Sequence, residues 1–192
     1  MGVDGLPVPF CRAFFGQLEV QSTDDGKSDK SYDEAAFHGV SAVGAGGVQL
    51  DLVLAADTVV SIDHTLLGKP RDRDNALSML LRLAGRRHFV TTAVHILFAA
   101  HVSEFPDRTE PATCAFSETS AVLFHPFQKT VLQAYVDTGE PLDKAGAYAI
   151  QGQGAFLIDR IEGSWSTVVG LPVSRLASEL LIRNIIEPAD KG

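Results

Sequence analysis

Hydrophobic and polar positions divide the chain unevenly. Residues 21–34, QSTDDGKSDKSYDE, are polar and rich in turn formers, and 43–49, VGAGGVQ, read as a loop whose glycines miss the GxGxxG spacing. From residue 50 the pattern tightens. LDLVLAAD (50–57) is a continuous apolar run of the kind a strand covered on both faces requires, and TVVSID extends it. DHTLLGKP (63–70) reads as a turn and an exit. RDRDNALSMLLRLAGRR predicts a helix: Asp72 or Asp74 caps it, Ala76, Met79, Leu80 and Leu83 form its apolar stripe, and Gly85 ends it. HFVTTAVHILFAAHV (88–102) is rich in β-branched residues and predicts a strand, 103–111 a loop, and 112–124 a further strand.

The C-terminal third continues the alternation. HPFQKTVLQAYVDTGEP opens with Pro126 at a helix N-terminus and closes with Gly139 just past its end. GAFLIDRIEGSWSTVVGLP suits a hairpin turning at Glu162 and Gly163, with Trp165 packed at the turn. VSRLASELLIRNII predicts a closing amphipathic helix. Strands alternating with helices imply an α/β fold with a mixed twisted sheet and flanking helices. No internal repeat is visible. A divergent segment, 1–49, precedes the ordered part, 50–187, and the 192 residues suit a single domain overall.

Composition narrows the partners. A formal net charge of −8 would repel nucleic acid and anionic membrane, so neither is an expected partner. Cys11 and Cys114 are far apart and belong to no CxxC or His-Cys cluster, which argues against a disulfide framework or structural zinc. No apolar run approaches a membrane span, the start lacks the basic region of a secretory signal, and Leu6 stands where a myristoylation signal needs Ser or Thr. A cytoplasmic location is the expectation. His38, His64, His88, His95, His101 and His125 form no HxxxH or HExxH pair and read as surface or core residues. Ser164 and Ser166 lack a GxSxG context.

Charged residues at the ends of apolar elements mark the candidate chemistry. Asp57 ends VLAAD, Lys69 sits in LGKP, and Asp143 with Lys144 follows the helix that Gly139 stops. Such ends are where an α/β fold builds its cleft. Two lysines and two carboxylates can hold a polyphosphate with a divalent cation: the ammonium groups neutralise phosphate oxygens, and the carboxylates take the metal or a proton from water. Spacing alone equally allows a turn-forming carboxylate and a solvated ion pair.

The stretches AADTVV, LGKPRDRDNALSMLLRLAGRRHFVTTAV, YVDTGEPLDKAGAYAIQGQGAFLIDRIEGSW and TVVGLP resemble the Maf family of nucleoside triphosphate pyrophosphatases, in order and spacing, from about residue 50 to about 182. The resemblance implies two lobes around a cleft. It also implies hydrolysis of a nucleoside triphosphate to monophosphate and pyrophosphate with a divalent cation, Mg²⁺ or Mn²⁺. DKAGAYAIQG is similar to the branch acting on dTTP and UTP. Carried over by residue, Asp57 would accept the proton from water attacking the α-phosphate, and Thr58 and Gln151 would help select the base. Lys69 would bind phosphate, Asp143 with Lys144 would organise metal and triphosphate, and Asp57 and Asp143 would be the metal ligands. Family members are often homodimers, so a second copy is an expected partner.

One family feature is missing. Members open with a strand running into a Ser-x-Ser-Pro-Arg-Arg loop whose hydroxyls and arginines grip the triphosphate. Here LPVPFCRAFFGQLEVQSTDD offers only Arg12, with no serine near it. A paired arginine clamp makes bidentate phosphate contacts that a single flexible arginine cannot reproduce. Two readings follow: a triphosphate pyrophosphatase with an altered grip, in which Arg12 contributes, or a Maf-like module that binds nucleotide or protein without catalysis.

Overall fold

A computed structural model describes residues 52–98, 112–187. Its strands form one five-stranded sheet in the order β2-β1-β3-β4-β5, comprising β1 (Leu52–Ile62), β2 (Thr65–Leu67), β3 (Arg87–Phe98), β4 (Ala112–Phe124) and β5 (Ile158–Glu162). Both edge pairs are antiparallel, with Val60 opposite Leu67 and Val122 opposite Ile161. The α/β sheet with flanking helices is as the sequence implied, and its antiparallel pairing refines the mixed sheet expected from strand-helix alternation.

The β1-β2 connection is a tight turn. Asp63 and His64 both take positive φ, 50° and 58°, the backbone that matches a two-residue hairpin to strand twist. Arg86 clasps the turn from outside, its Nη2 donating to both Asp63 carboxylate oxygens at 2.7 and 2.9 Å.

Helix α1 (Arg73–Leu83) starts as its sequence prescribes. Asp72 is the N-cap and accepts the Asn75 N–H at 2.7 Å, while the Asn75 side chain accepts the Arg71 N–H at 3.2 Å. Ala76, Leu77, Leu80 and Leu83 are buried, and Gly85 leaves the helix at φ +68°. Helix α2 (Lys129–Asp137) begins later than Pro126 suggested: Gln128 is its N-cap, and residues 125–128 run without regular structure between β4 and the helix. Gly139, at φ +82°, turns the chain after it.

The expected hairpin at Glu162 and Gly163 is replaced by a helix. After β5, Gly163 turns at φ +123°, Ser164 caps, and Trp165–Val169 form the short helix α3. The physical reason is local: the Ser164 hydroxyl accepts the Thr167 N–H, a helix-starting bond that competes with strand pairing. Trp165 is therefore 52% exposed rather than packed in a hairpin. Helix α4 (Val173–Ile182) closes the described chain, and none of its residues is fully buried.

The chain falls into two compact units. In one, the described residues are 52–57, 93–98 and 112–117, with Ala55, Val94, Ile96, Phe98, Cys114 and Phe116 buried. The other holds the rest of the described sheet and, among the described residues, all the helices, around a core that includes Val60, Leu80, Leu83, Val122, Phe124, Leu132, Val136 and Leu157. In this core His88, fully buried, meets Phe124 and Tyr148 edge to face, and its Nε2 lies 2.9 Å from the Tyr148 hydroxyl. Among the described residues no helix is long and apolar enough to cross a membrane.

Candidate functional site

The second unit brings Lys69, Asp143 and Lys144 onto two loops tied together at the backbone. Lys69 lies in the short connection between β2 and α1, exposed, between Gly68 and the buried Pro70. Asp143 ends one 3-10 turn (Glu140–Asp143), and Lys144 separates it from another (Ala145–Ala147). The Gly146 N–H donates to the Gly68 carbonyl at 3.0 Å, so the loops cannot drift apart without breaking that bond.

Gly146 is required there twice over. Its φ is +72°, and a Cβ at that position would come within 2.9 Å of a Val60 methyl group on β1. Ala147 follows in the left-handed region at φ +62° and is fully buried, a strained backbone held by its surroundings. Tyr148, buried, then pins the segment to the core through His88.

The charges in these loops act on one another. Lys144 Nζ lies 2.6 Å from Asp143 Oδ2, with the lysine side chain 41% and the carboxylate 71% exposed. The hydrogen bond from Lys144 holds the Asp143 carboxyl below its ordinary range, and the charge of Lys69 adds to the effect. Asp143 is thus a solvent-facing carboxylate bonded to one ammonium group and influenced by the charge of a second. Among the described residues no three His, Cys, Asp or Glu side chains converge as a preformed metal cage. One or two hard carboxylate donors fit the way a hydrated Mg²⁺ is commonly held, jointly with substrate phosphates.

Thr58 has a different setting. Its hydroxyl lies 2.8 Å from that of Thr92, which donates onward to the Thr167 carbonyl at 2.7 Å, linking β1, β3 and α3. The Thr167 hydroxyl in turn donates to Glu118. Asp57 precedes Thr58 on β1, half-buried, and belongs to the other compact unit. Gln151 is exposed in the loop after Tyr148. Arg12 lies outside the described residues.

Sequence reasoning passed over two groups of this region, Tyr135 and Glu140. The Tyr135 hydroxyl donates to Glu140 Oε1 at 2.9 Å, and the Glu140 carboxylate also accepts the N–H groups of Gln153 and Gly154. Burial works against the Glu140 charge, but the Gly154 and Gln153 N–H groups, the Tyr135 hydroxyl and the charge of Lys144 outweigh it and hold the carboxyl below its ordinary range. The available signal was a carboxylate directly after a helix-stopping glycine and just before a glycine-bearing turn. A shallow depression lined by Arg87, Ala121, Leu123, Arg160 and Glu162 lies apart from these loops, and its two arginines are paired with Glu162.

Comparison with known proteins agrees with the resemblance carried by these residues. The family model described as "Maf-like protein" matches residues 17–182, beginning well inside the segment set aside as divergent. A dTTP/UTP pyrophosphatase of Oleidesulfovibrio alaskensis is 45% identical over 137 residues, which are 71% of this chain and 59% of that protein. One from Nitratidesulfovibrio vulgaris is 41% identical over 189 residues, covering 93% of this chain and 85% of the relative. One from Bacillus velezensis is 46% identical over 134 residues, or 70% of this chain and 65% of the relative. The chain therefore spans between 59% and 85% of the length of these relatives. With the family model matched across most of its length, the chain belongs to the Maf-like protein family.

Proposed function

We propose that this chain hydrolyses a pyrimidine nucleoside triphosphate, dTTP or UTP, to the monophosphate and pyrophosphate. The observation that carries the reading is the pair of lysine loops joined by the Gly146–Gly68 bond, with Asp143 bonded to Lys144 and under the charge of Lys69, in a chain whose relatives bear the name dTTP/UTP pyrophosphatase. Lys69 and Lys144 neutralise the triphosphate oxygens, and compact ammonium groups suit that task. Water attacks the α-phosphorus and forms a new P–O bond. The bond from the α-phosphorus to the oxygen bridging to the β-phosphate breaks, and pyrophosphate leaves. Asp57 accepts the proton of the attacking water, a general-base contribution typically worth about 10²–10⁴-fold. Thr58 and Gln151 help select the base. Asp143, with Asp57, would hold a divalent cation, Mg²⁺ or Mn²⁺, which when bound supplies charge neutralisation to the phosphates.

A second reading is favoured by one observation. Arg12 is the sole arginine in the first fifty residues, so the paired-arginine grip is missing from the sequence. On that reading the chain binds nucleotide without turning it over. Pyrophosphate release from dTTP and UTP with Mg²⁺ or Mn²⁺, wild type beside Asp57→Asn, separates the two. The enzyme reading expects release by wild type, lost in Asp57→Asn with triphosphate binding kept. Binding by both proteins without release by either would leave the binding module standing.

A further inference from the structure

The loop that carries Gln151 is held from both sides by one hydrogen-bonded pair. On the side before Gln151, the Ala149 N–H donates to the Tyr135 hydroxyl at 3.2 Å. That hydroxyl donates to Glu140 Oε1 at 2.9 Å. On the side after Gln151, Glu140 Oε2 accepts the Gln153 N–H at 2.8 Å and Oε1 accepts the Gly154 N–H at 2.9 Å. Tyr135 is itself fixed in the α2 core at 3% exposure, so the pair stands on a rigid element.

The fit leaves no slack. A Cβ on Gly152 would lie 2.6 Å from the Glu140 carboxylate, and one on Gly154 would run into the Tyr135 hydroxyl and stand 2.8 Å from the Ala149 carbonyl oxygen. A carboxylate suits this position because it only accepts, so one group can take two N–H donors and a hydroxyl proton together. Its ionised oxygens also make stronger bonds to N–H groups than a neutral acceptor would. A glutamine there would turn an NH₂ group toward a backbone N–H.

We propose that Glu140, acting with Tyr135, is a positioning residue that fixes Gln151 and thereby sets discrimination between pyrimidine bases. The proposal rests on the pyrimidine triphosphate reading given above. A side chain reads a base edge only if its amide is held in one place, and small displacements of such a group erode discrimination before they erode binding.

The test uses the full chain and two substrates that differ at the base edge, UTP and CTP. Values of kcat/KM are measured for wild type, Glu140→Gln, Tyr135→Phe, Gln151→Ala and the Glu140→Gln/Gln151→Ala double variant. The expected result is that the UTP-to-CTP ratio falls about tenfold in Glu140→Gln and Tyr135→Phe, as in Gln151→Ala, and that the double variant falls no further than Gln151→Ala. A ratio unchanged from wild type while both substrates slow equally means that Glu140 only stabilises the fold, and overturns the proposal. Amide exchange provides an independent arm: Gln153 and Gly154 should exchange at least about tenfold faster in Glu140→Gln, and unchanged exchange also overturns the proposal. If wild type hydrolyses no triphosphate, the proposed function falls. The positioning role is then decided by that exchange together with the ratio of UTP to CTP binding affinities, which should drop in the same variants. If Glu140→Gln fails to fold, Tyr135→Phe carries the ratio arm, and its exchange arm is read at Ala149, whose N–H loses its acceptor and should exchange at least about tenfold faster.

Discussion

The N–H of Gly146 donates to the carbonyl of Gly68 at 3.0 Å, and that bond joins the loop bearing Lys69 to the loop bearing Lys144. Residues far apart in sequence thereby present their ammonium groups from one joined support. The support depends on a backbone conformation and a close approach that only glycine accommodates.

Gly146→Ala should therefore damage both stability and turnover. The new methyl group would meet Val60 in the core at a φ of +72°, combining an overpacking cost with a left-handed conformation. The expected loss is about 2–4 kcal/mol, read from the denaturant midpoint at constant m value.

Lys69→Ala and Lys144→Ala separate binding from folding. Lys144 and Asp143 form an exposed pair, and such pairs contribute only about 0–1 kcal/mol to stability, so melting temperatures should barely move. On the proposed function, triphosphate turnover should fall about 10²-fold or more in each variant, because each would lose a cation that neutralises the phosphates. A melting change without a kinetic change would assign these lysines to the fold instead.

Acid should weaken the protein through His88. Burial pushes its pKa down from the ordinary 6.5 to about 4, against a smaller raising contribution from the Arg86 backbone. Between those values the unfolded chain binds a proton that the folded chain refuses, so stability rises with pH. The contribution is complete above pH 6.5 and is lost as pH falls toward 4, amounting to about 3 kcal/mol. Urea titrations from pH 7.5 to 4 check this, and His88→Leu should flatten the profile across that window.

Thr92→Val should cost about 1–3 kcal/mol. The Thr92 hydroxyl is the buried link between the Thr58 hydroxyl and the Thr167 carbonyl, and valine of similar shape leaves that carbonyl without its donor. Thermal unfolding of the variant measures the loss.

Much of this was legible in the sequence because local signals agreed with tertiary demands. β1, α1 and β4 follow their apolar patterns, and Asp72, Gly85 and Gly139 act as the punctuation they resemble. Failures arose where a short polar contact outweighed the pattern. Ser164 capping Thr167 made a helix of WSTVV, a segment whose β-branched residues favour strand. Pro126 is an ordinary helix-start signal, yet it sits in a tight turn closed by the Phe127 N–H donating to the His125 carbonyl at 2.9 Å, and the helix begins only after Gln128. At the site, Lys69, Asp143 and Lys144 were visible as charges at the ends of elements. Glu140 also stands at an element's end, directly after the helix-stopping Gly139, but what it holds did not show: it accepts bonds from N–H groups thirteen and fourteen positions away, and backbone donors leave no mark in a sequence.

The bracketed loop 149–154 has a kinetic meaning. A segment that became ordered only around its ligand would set its own conformational entropy, about 1–2 kcal/mol per residue, against affinity, and would slow capture to the pace of its folding. Here the amides of Ala149, Gln153 and Gly154 are already bonded. Encounter with a nucleotide should then proceed in a single phase whose rate rises linearly with concentration.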